Sequence, residues 1–320
     1  MDKRRKLFTE KKYNEMNCNN PLASAAECME DDAPPIEGEP RLPIRKFSFT
    51  NGLHIFVRAY THLPPSDALA LLEDRDETGM MVWDGSLHLA RFLCENPGAW
   101  MTHSDSFCVI ELGAGSGICG LVSAKLLSTS IFPSIVFLTD GNPECVALAS
   151  DNIHRNQINE TPAGGGRQLV VEAALLSWAN QQHVDEIQTR CDRCAFTRIV
   201  LLSADVIHCD VSVRPLILAA QQIYETLIKK ASGVLEMVWL IGFLPRSWTL
   251  TQGAEHFEML LAAIRELSWS IEVVWRLRQP SHQDQPSPSF NDDSRAIRST
   301  DFNGCILRVI ARGSSSAISS

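Results

Sequence analysis

Between residues 107 and 311 the chain repeats one pattern: a short, continuous apolar run, then a longer stretch with apolar positions every three or four residues. The apolar runs are 107–112 (FCVIEL), 135–139 (IVFLT), 168–173 (QLVVEA), 199–204 (IVLLSA), 234–242 (VLEMVWLIG), 271–276 (IEVVWR) and 304–311 (GCILRVIA). Continuous apolar strands are what a sheet buried on both faces requires. Helical spacing follows at about 117–127, 143–157, 212–230 and 253–267. The alternation predicts an α/β fold with a mostly parallel sheet between two layers of helices. No helical pattern separates the last two strands. The polar, Pro- and Ser-rich stretch 278–302 lies there instead, so a long hairpin is expected to make the last strand antiparallel.

Upstream, RKFSFTNGLHIFVRAY (45–60) alternates on both sides of Asn51-Gly52. It predicts a β-hairpin through a type I′ turn, whose two central residues need positive φ. SDALALLEDRDETG (66–79) opens on a capping-type serine and predicts a short helix or turn. VWDGSLHLARFLCENP (82–97) places Leu87, Ala90, Phe92 and Leu93 at helical spacing and stops at Asn96-Pro97. Residues 1–43 carry few large apolar residues and read as a disordered or loosely held tail. The domain is expected over 44–312, with its hairpin and the 278–302 insertion, and 313–320 as a second tail.

Composition is that of a globular protein, 45% apolar and 21% charged. No apolar run approaches the roughly 18 residues of a membrane span. MDKRRKLFTEKKYNEM has a basic start with no apolar core behind it, unlike a secretory signal. A soluble, cytoplasmic protein is expected. KRRK at 3–6 reads as a solvated basic start, with a nuclear localisation signal as the alternative. The ten cysteines are expected to be reduced. Cys191 and Cys194 form one C-x-x-C without the second pair or histidine spacing of a zinc site, so TRCDRCAF reads as a charged loop and no metal is expected. Thirty-eight acids against 29 bases give net −9, and residues 1–48 hold nine of each, so the excess lies downstream. That disfavours a nucleic-acid binder, which needs a basic footprint. A monomer is the expectation.

The chemistry concentrates in VIELGAGSGICGL (109–121), where an apolar run ends in an acid and Gly113, Gly115 and Gly117 follow. Ligands of doubly wound sheets bind beyond the carboxyl ends of the strands. Glycine permits positive φ and bares the backbone, and the next helix offers N–H donors. The loop is therefore expected to cradle a nucleotide-like group, a plain tight turn being the alternative. Its spacing misses G-x-G-x-x-G by one residue. Asp140 closes the second strand, where an acid bonds the ribose hydroxyls of a nucleoside, and Asn142 is the better cap for the helix that follows. A diphosphate would be repelled by Glu111, whereas a sulfonium ligand with an α-amino group would tolerate it, which favours S-adenosylmethionine over NAD. Alternatively, Glu111 is a buried hydrogen-bonding acid and Trp83 and Trp178 are core aromatics.

VWDGSLHLARFL, VIELGAGSGICGL, LTDGNPECVALASDNI, LLSW and SADVIHCD occur in the order seen in the seven-β-strand methyltransferases of family 16. Over about 80–245 the chain resembles their protein-lysine N-methyltransferases. LTDGN resembles the calmodulin-lysine methyltransferases, and CENPGAW and ADVIHCD are closer to those of elongation factor 2. The resemblance implies a Rossmann-like, seven-stranded class I methyltransferase sheet, S-adenosyl-L-methionine as cofactor, and a protein substrate such as elongation factor 2 or calmodulin that presents a lysine. It implies that Trp83 closes over the methionine end of the cofactor and that Gly113, Ala114 and Gly115 form its glycine loop, with Glu111 just upstream. Asp140 becomes the ribose acid, Trp178 the tryptophan beside the adenine, and Ala204 a backbone contact. The family pattern after strand four is an acid followed three residues later by an aromatic. Here Asp205 is the acid and His208 stands at the aromatic position.

An aspartate aims an ammonium but also raises its pKa, so Asp205 is assigned to orientation. His208 offers a poorer face to a cation than tyrosine would, and is a candidate proton acceptor near neutral pH. Two other readings remain: a non-catalytic adaptor that keeps the fold, which His208 favours, and an NAD-dependent oxidoreductase, which Glu111 and the lack of a hydride-relay pattern weaken.

Overall fold

The computed structural model describes residues 27–29, 42–59, 78–102, 104–158, 169–192, 196–207, 210–230, 236–244, 250–276 and 304–312. The seven apolar runs become β4 (Phe107–Leu112), β5 (Ser134–Asp140), β6 (Leu169–Leu175), β7 (Arg198–Ala204), β8 (Glu236–Phe243), β9 (Ser270–Arg276) and β10 (Cys305–Arg312). Preceding them are β1 (Glu27–Met29), β2 (Ile44–Ser48) and β3 (His54–Arg58). The helices are α1 (Asp84–Glu95), α2 (Ile118–Leu127), α3 (Pro143–Arg155), α4 (Gln181–Cys191), α5 (Asp210–Lys230) and α6 (Leu250–Glu266).

The large sheet has the order β6-β5-β4-β7-β8-β10-β9. Strands β4 to β8 pair in parallel. β10 runs antiparallel, as expected, and inserts between β8 and β9. The chain winds outward from β4 to β6, then returns to β7 on the other side of β4. That reversal is the switch point at which open α/β sheets bind ligands. All six β4 residues are buried because helices cover both faces. On one face α4, α5 and α6 supply Val184, Leu216, Ile223 and Leu260. On the other α1, α2 and α3 pack Leu89, Leu93, Leu121 and Ile153 together with Ile55 and Val57 of the hairpin. Among the described residues no helix is long and apolar enough to cross a membrane.

Three features differ from the sequence expectation. Residues 181–191 form α4, and Cys191 ends that helix, buried, rather than lying in a charged loop; its thiol is 3.4 Å from that of Cys108. The buried positions Val184, Ile187, Gln188 and Cys191 fall on one face, but only three of the four are apolar, so the period is faint. Cys194 lies outside the described residues. The hairpin turn is not type I′. Gly52 alone has positive φ, at 76°, and its N–H donates to Phe49 O at 3.0 Å. Phe49 N in turn donates to Leu53 O, so a longer loop ends on a left-handed glycine. Finally, Glu27–Met29, within the stretch read as a tail, pairs antiparallel with β2 as a third strand. Most of the 66–79 element and the 278–302 insertion lie outside the described residues.

The hairpin reaches the large domain through two asparagines. Asn156 Oδ1 accepts from Phe56 N at 2.9 Å and its amide donates to Phe56 O at 2.6 Å. Asn152, fully buried on α3, does the same for Arg58, at 2.7 and 3.3 Å, and also donates to Ser116 O in the glycine loop at 2.9 Å. Spaced one helical turn apart, the two amides act as a substitute strand along the open edge of β3. Asn152→Ala strands a buried N–H and two carbonyls, and is expected to destabilise the protein by roughly 2–3 kcal/mol in denaturant titration.

Candidate active site

A cavity of about 690 Å³ opens above the carboxyl ends of β4 to β7, within the usual size of small-molecule sites. Each strand end contributes a wall. Gly113, Ala114 and Gly115 follow β4, Asp140 ends β5, Leu176, Ser177 and Trp178 follow β6, and Ala204 with Asp205 leaves β7. Trp83 and Ser86, at the start of α1, complete the lining with Gly79 and Met81.

The loop after β4 needs its glycines. Gly113 and Gly115 have φ of 69° and 51°. A Cβ on Gly113 would lie 2.7 Å from Val206 Cγ1, and one on Gly115 would collide with the carbonyl oxygen of Gly79. Asp140 braces the loop: Oδ2 accepts from Gly115 N and Oδ1 from Asn142 N, each at 2.9 Å. Asn142 is the N-cap of α3, its side chain accepting from Glu144 N at 2.9 Å, which leaves Asp140 to the cavity.

Glu111 does not line the cavity, contrary to its expected place beside the ligand. It is 3% exposed and turns beneath the loop, where Oε2 accepts from Gly120 N at 2.8 Å. The reason is local. The N-cap of α2 is Gly117, which has no side chain, and Glu111 supplies the missing oxygen. Burial pushes its carboxyl up to about 7, against the pull of the Gly120 hydrogen bond and helped by the charge of Asp140. The folded protein therefore holds this proton to a higher pH than the unfolded chain. Stability from Glu111 is full below pH 4.5 and is lost as pH rises through about 7. The loss is on the order of 3 kcal/mol. Glu111→Gln, which does not titrate, is expected to remove most of that decline between about pH 5 and pH 8 in urea titrations.

Asp205 sits at the lip of the cavity with left-handed backbone, φ 55°. Its N–H donates to Gly242 O at 3.1 Å, and Oδ2 accepts from Gly85 N at 2.6 Å in the first turn of α1. The N-cap of α1, Trp83, makes no side-chain cap, so Asp205, 120 positions beyond Gly85, does.

The structure thus gathers Trp83, Gly113, Ala114, Gly115, Asp140, Trp178, Ala204 and Asp205 around one cavity. It places Glu111 behind the wall, and His208 lies outside the described residues. Sequence reasoning missed Gly79, Met81, Ser86, Cys145 and Pro215. Of these only Gly79, a glycine four residues before Trp83, carried any signal.

Residues 64–236 match the model of a family described as lysine methyltransferase. The chain belongs to the lysine methyltransferase family. The matched span runs from before α1 to the first residue of β8 and so holds every strand end around the cavity. The chain is 26% identical over 236 residues to protein-lysine N-methyltransferase EFM3 of Chaetomium thermophilum, covering 72% of this chain and 60% of that one. It is 28% identical over 155 residues to protein-lysine N-methyltransferase EEF2KMT of Mus musculus, covering 46% and 42%. The chain therefore spans 60% or less of the length of these relatives. A solved SAM-dependent methyltransferase from Agrobacterium tumefaciens aligns over 93% of this chain and 79% of its own, at 10% identity and a TM-score of 0.41.

Proposed function

We propose that the chain is an S-adenosylmethionine-dependent methyltransferase acting on a lysine side chain of a protein substrate. One observation carries the choice of cofactor. Two N–H groups at the loop and the start of α2 are already held by acids: Gly120 N by Glu111 and Gly115 N by Asp140, which leaves fewer donors for a diphosphate. The sequence argument placed Glu111 against the ligand. Its influence is instead to fill the start of α2 from behind. The charge of Asp140 beside the loop, with the partial ionisation of Glu111 behind it, disfavours a polyanion and suits a cationic sulfonium and ammonium end.

The residues present fit that group. Bare backbone at Gly113 and Gly115 allows close approach, Asp140 offers a carboxylate to two ribose hydroxyls, Trp178 and Leu176 give the adenine an apolar seat, and Trp83 and Ala204 flank the methionine end. When bound, the cofactor supplies a methyl group on a positively charged sulfur. The lysine amine must arrive neutral, and from a reference pKa of about 10.4 that costs roughly 4–5 kcal/mol at neutral pH. Burial behind Trp83 and Met81 lowers that cost by disfavouring the ammonium. Asp205 aims the amine, and His208 is the proposed acceptor of its proton. Alignment supplies much of the acceleration.

The net −9 carried by residues 49–320 opposes association with an acidic protein such as calmodulin and favours elongation factor 2 of the two substrates. The cytoplasm is the proposed compartment, where buried thiols such as those of Cys94, Cys119 and Cys191 stay reduced. Incubating the protein and methyl-labelled cofactor with a hypomethylated lysate tests the reading. Label on a lysine is expected. Label on histidine or arginine contradicts the lysine assignment, and cofactor binding without transfer favours the adaptor.

A further inference from the structure

A carboxylate that aims an ammonium also stabilises its charged form, and so opposes the proton loss that must precede attack. The way Asp205 is held bears on that conflict. Its Oδ2 accepts from Gly85 N at 2.6 Å, in the first turn of α1, where N–H groups lack intrahelical partners and carry the partial positive charge of the helix. Its backbone is left-handed, which among non-glycine residues Asp and Asn tolerate best. The seat is tight. A Cβ on Gly85 would lie 2.5–2.6 Å from all three carboxyl atoms of Asp205, and one on Gly242 would lie 3.2 Å from Gly85 O.

We infer that Gly85 is a positioning residue for the transfer: lacking a Cβ, it lets the start of α1 clamp the Asp205 carboxylate, which fixes its aim and tempers its charge toward the incoming amine. This rests on the lysine-transfer reading. The other described charged and titratable groups on the elements around Asp205 do not replace the clamp. On α1, Asp84 is acidic and His88 is half-buried against Trp275, its pKa lowered by that burial; Arg91 pairs with Glu95 at the far end. On α2, Cys119 is a thiol pushed well above its ordinary value by burial and neighbouring acids, Asp205 among them, and Lys125 is tied to Asn156 O. Glu111, one residue before the end of β4, and Asp140, ending β5, are acidic, Arg214 on α5 is exposed, and the cavity end of β8 contributes Gly242.

The test compares the pH profile of lysine transfer for the wild type, Gly85→Ala and Asp205→Asn, with affinity for S-adenosylhomocysteine measured beside it. Gly85→Ala is expected to bind S-adenosylhomocysteine within about twofold of wild type and to move the rising limb of kcat up by about half to one pH unit. Turnover near neutral pH then falls roughly three- to tenfold and recovers at high pH. Asp205→Asn is expected to move the limb the other way. Asp205→Gly accommodates the left-handed backbone but removes the carboxylate, and amide exchange at Gly85 is expected to quicken by about tenfold or more in the protein without cofactor. If Gly85→Ala does not fold, the two Asp205 variants decide. Unmoved limbs, or unchanged exchange at Gly85 in Asp205→Gly, overturn the clamp alone. A wild type that transfers no methyl to lysine at any pH overturns the lysine-transfer reading and the clamp together.

Discussion

Asp140→Ala is expected to lower affinity for S-adenosylhomocysteine by about 100-fold while the protein still unfolds in one cooperative step. Hydrogen bonds to a charged acceptor contribute about 1.5–3 kcal/mol each, and the proposed site asks Asp140 for two ribose hydroxyls, so a net loss of about 3 kcal/mol is a modest expectation. The same side chain holds Gly115 N and Asn142 N, so its removal also loosens the wall that the ligand leans on. Asp140→Asn keeps an acceptor and is expected to lose only about tenfold. A second readout comes free of ligand. The charge of Asp140 helps raise Glu111, so in Asp140→Ala the pH-dependent decline attributed to Glu111 moves to lower pH. Titration calorimetry measures the first effect and urea titration across pH the second. Unchanged affinity would mean that no ribose hydroxyl meets Asp140.

Gly115→Ala is expected to abolish measurable binding of S-adenosylhomocysteine and to destabilise the fold by about 2–4 kcal/mol. Two penalties combine there. A left-handed φ of 51° costs a residue with a Cβ about 1–2 kcal/mol. The new carbon also meets the carbonyl oxygen of Gly79, which is main chain and does not rotate away. The 78–80 turn must shift off the loop, and Gly79 within it is part of the cavity wall. Gly98→Ala is the control. It does not line the cavity, its φ is not positive, and its Cβ meets nothing within 4 Å, so a change within about 0.5 kcal/mol and unaltered binding are expected. Equal behaviour of the two variants would remove the argument for a tight glycine seat.

The strands were legible because a sheet buried on both faces leaves continuous apolar runs, and all seven begin or end within two residues of expectation. α4 was not, because it lies on the surface, is mostly polar and shows its inner face only at Val184, Ile187 and Cys191. The turn at Asn51-Gly52 was misread in type although the hairpin formed: a dipeptide suits several loops, and cross-strand register chooses among them. In the site, residues in contiguous motifs were found. What motifs do not encode is direction. Glu111 follows its strand to the edge of the loop and then points inward, because a glycine N-cap left a helix end in need of an oxygen. The pairing of Asp205 with Gly85 spans 120 positions and depends on an absent Cβ, which no local pattern reveals.

The central claim is that carboxylates behind and beside the glycine loop reserve this cavity for a cationic donor. Calorimetric titration of the purified protein with S-adenosylmethionine and, separately, with NAD tests it most directly. Saturable binding of S-adenosylmethionine at one site per chain, with no heat from NAD, is the predicted result. Saturable binding of NAD, or no binding of S-adenosylmethionine, would contradict it.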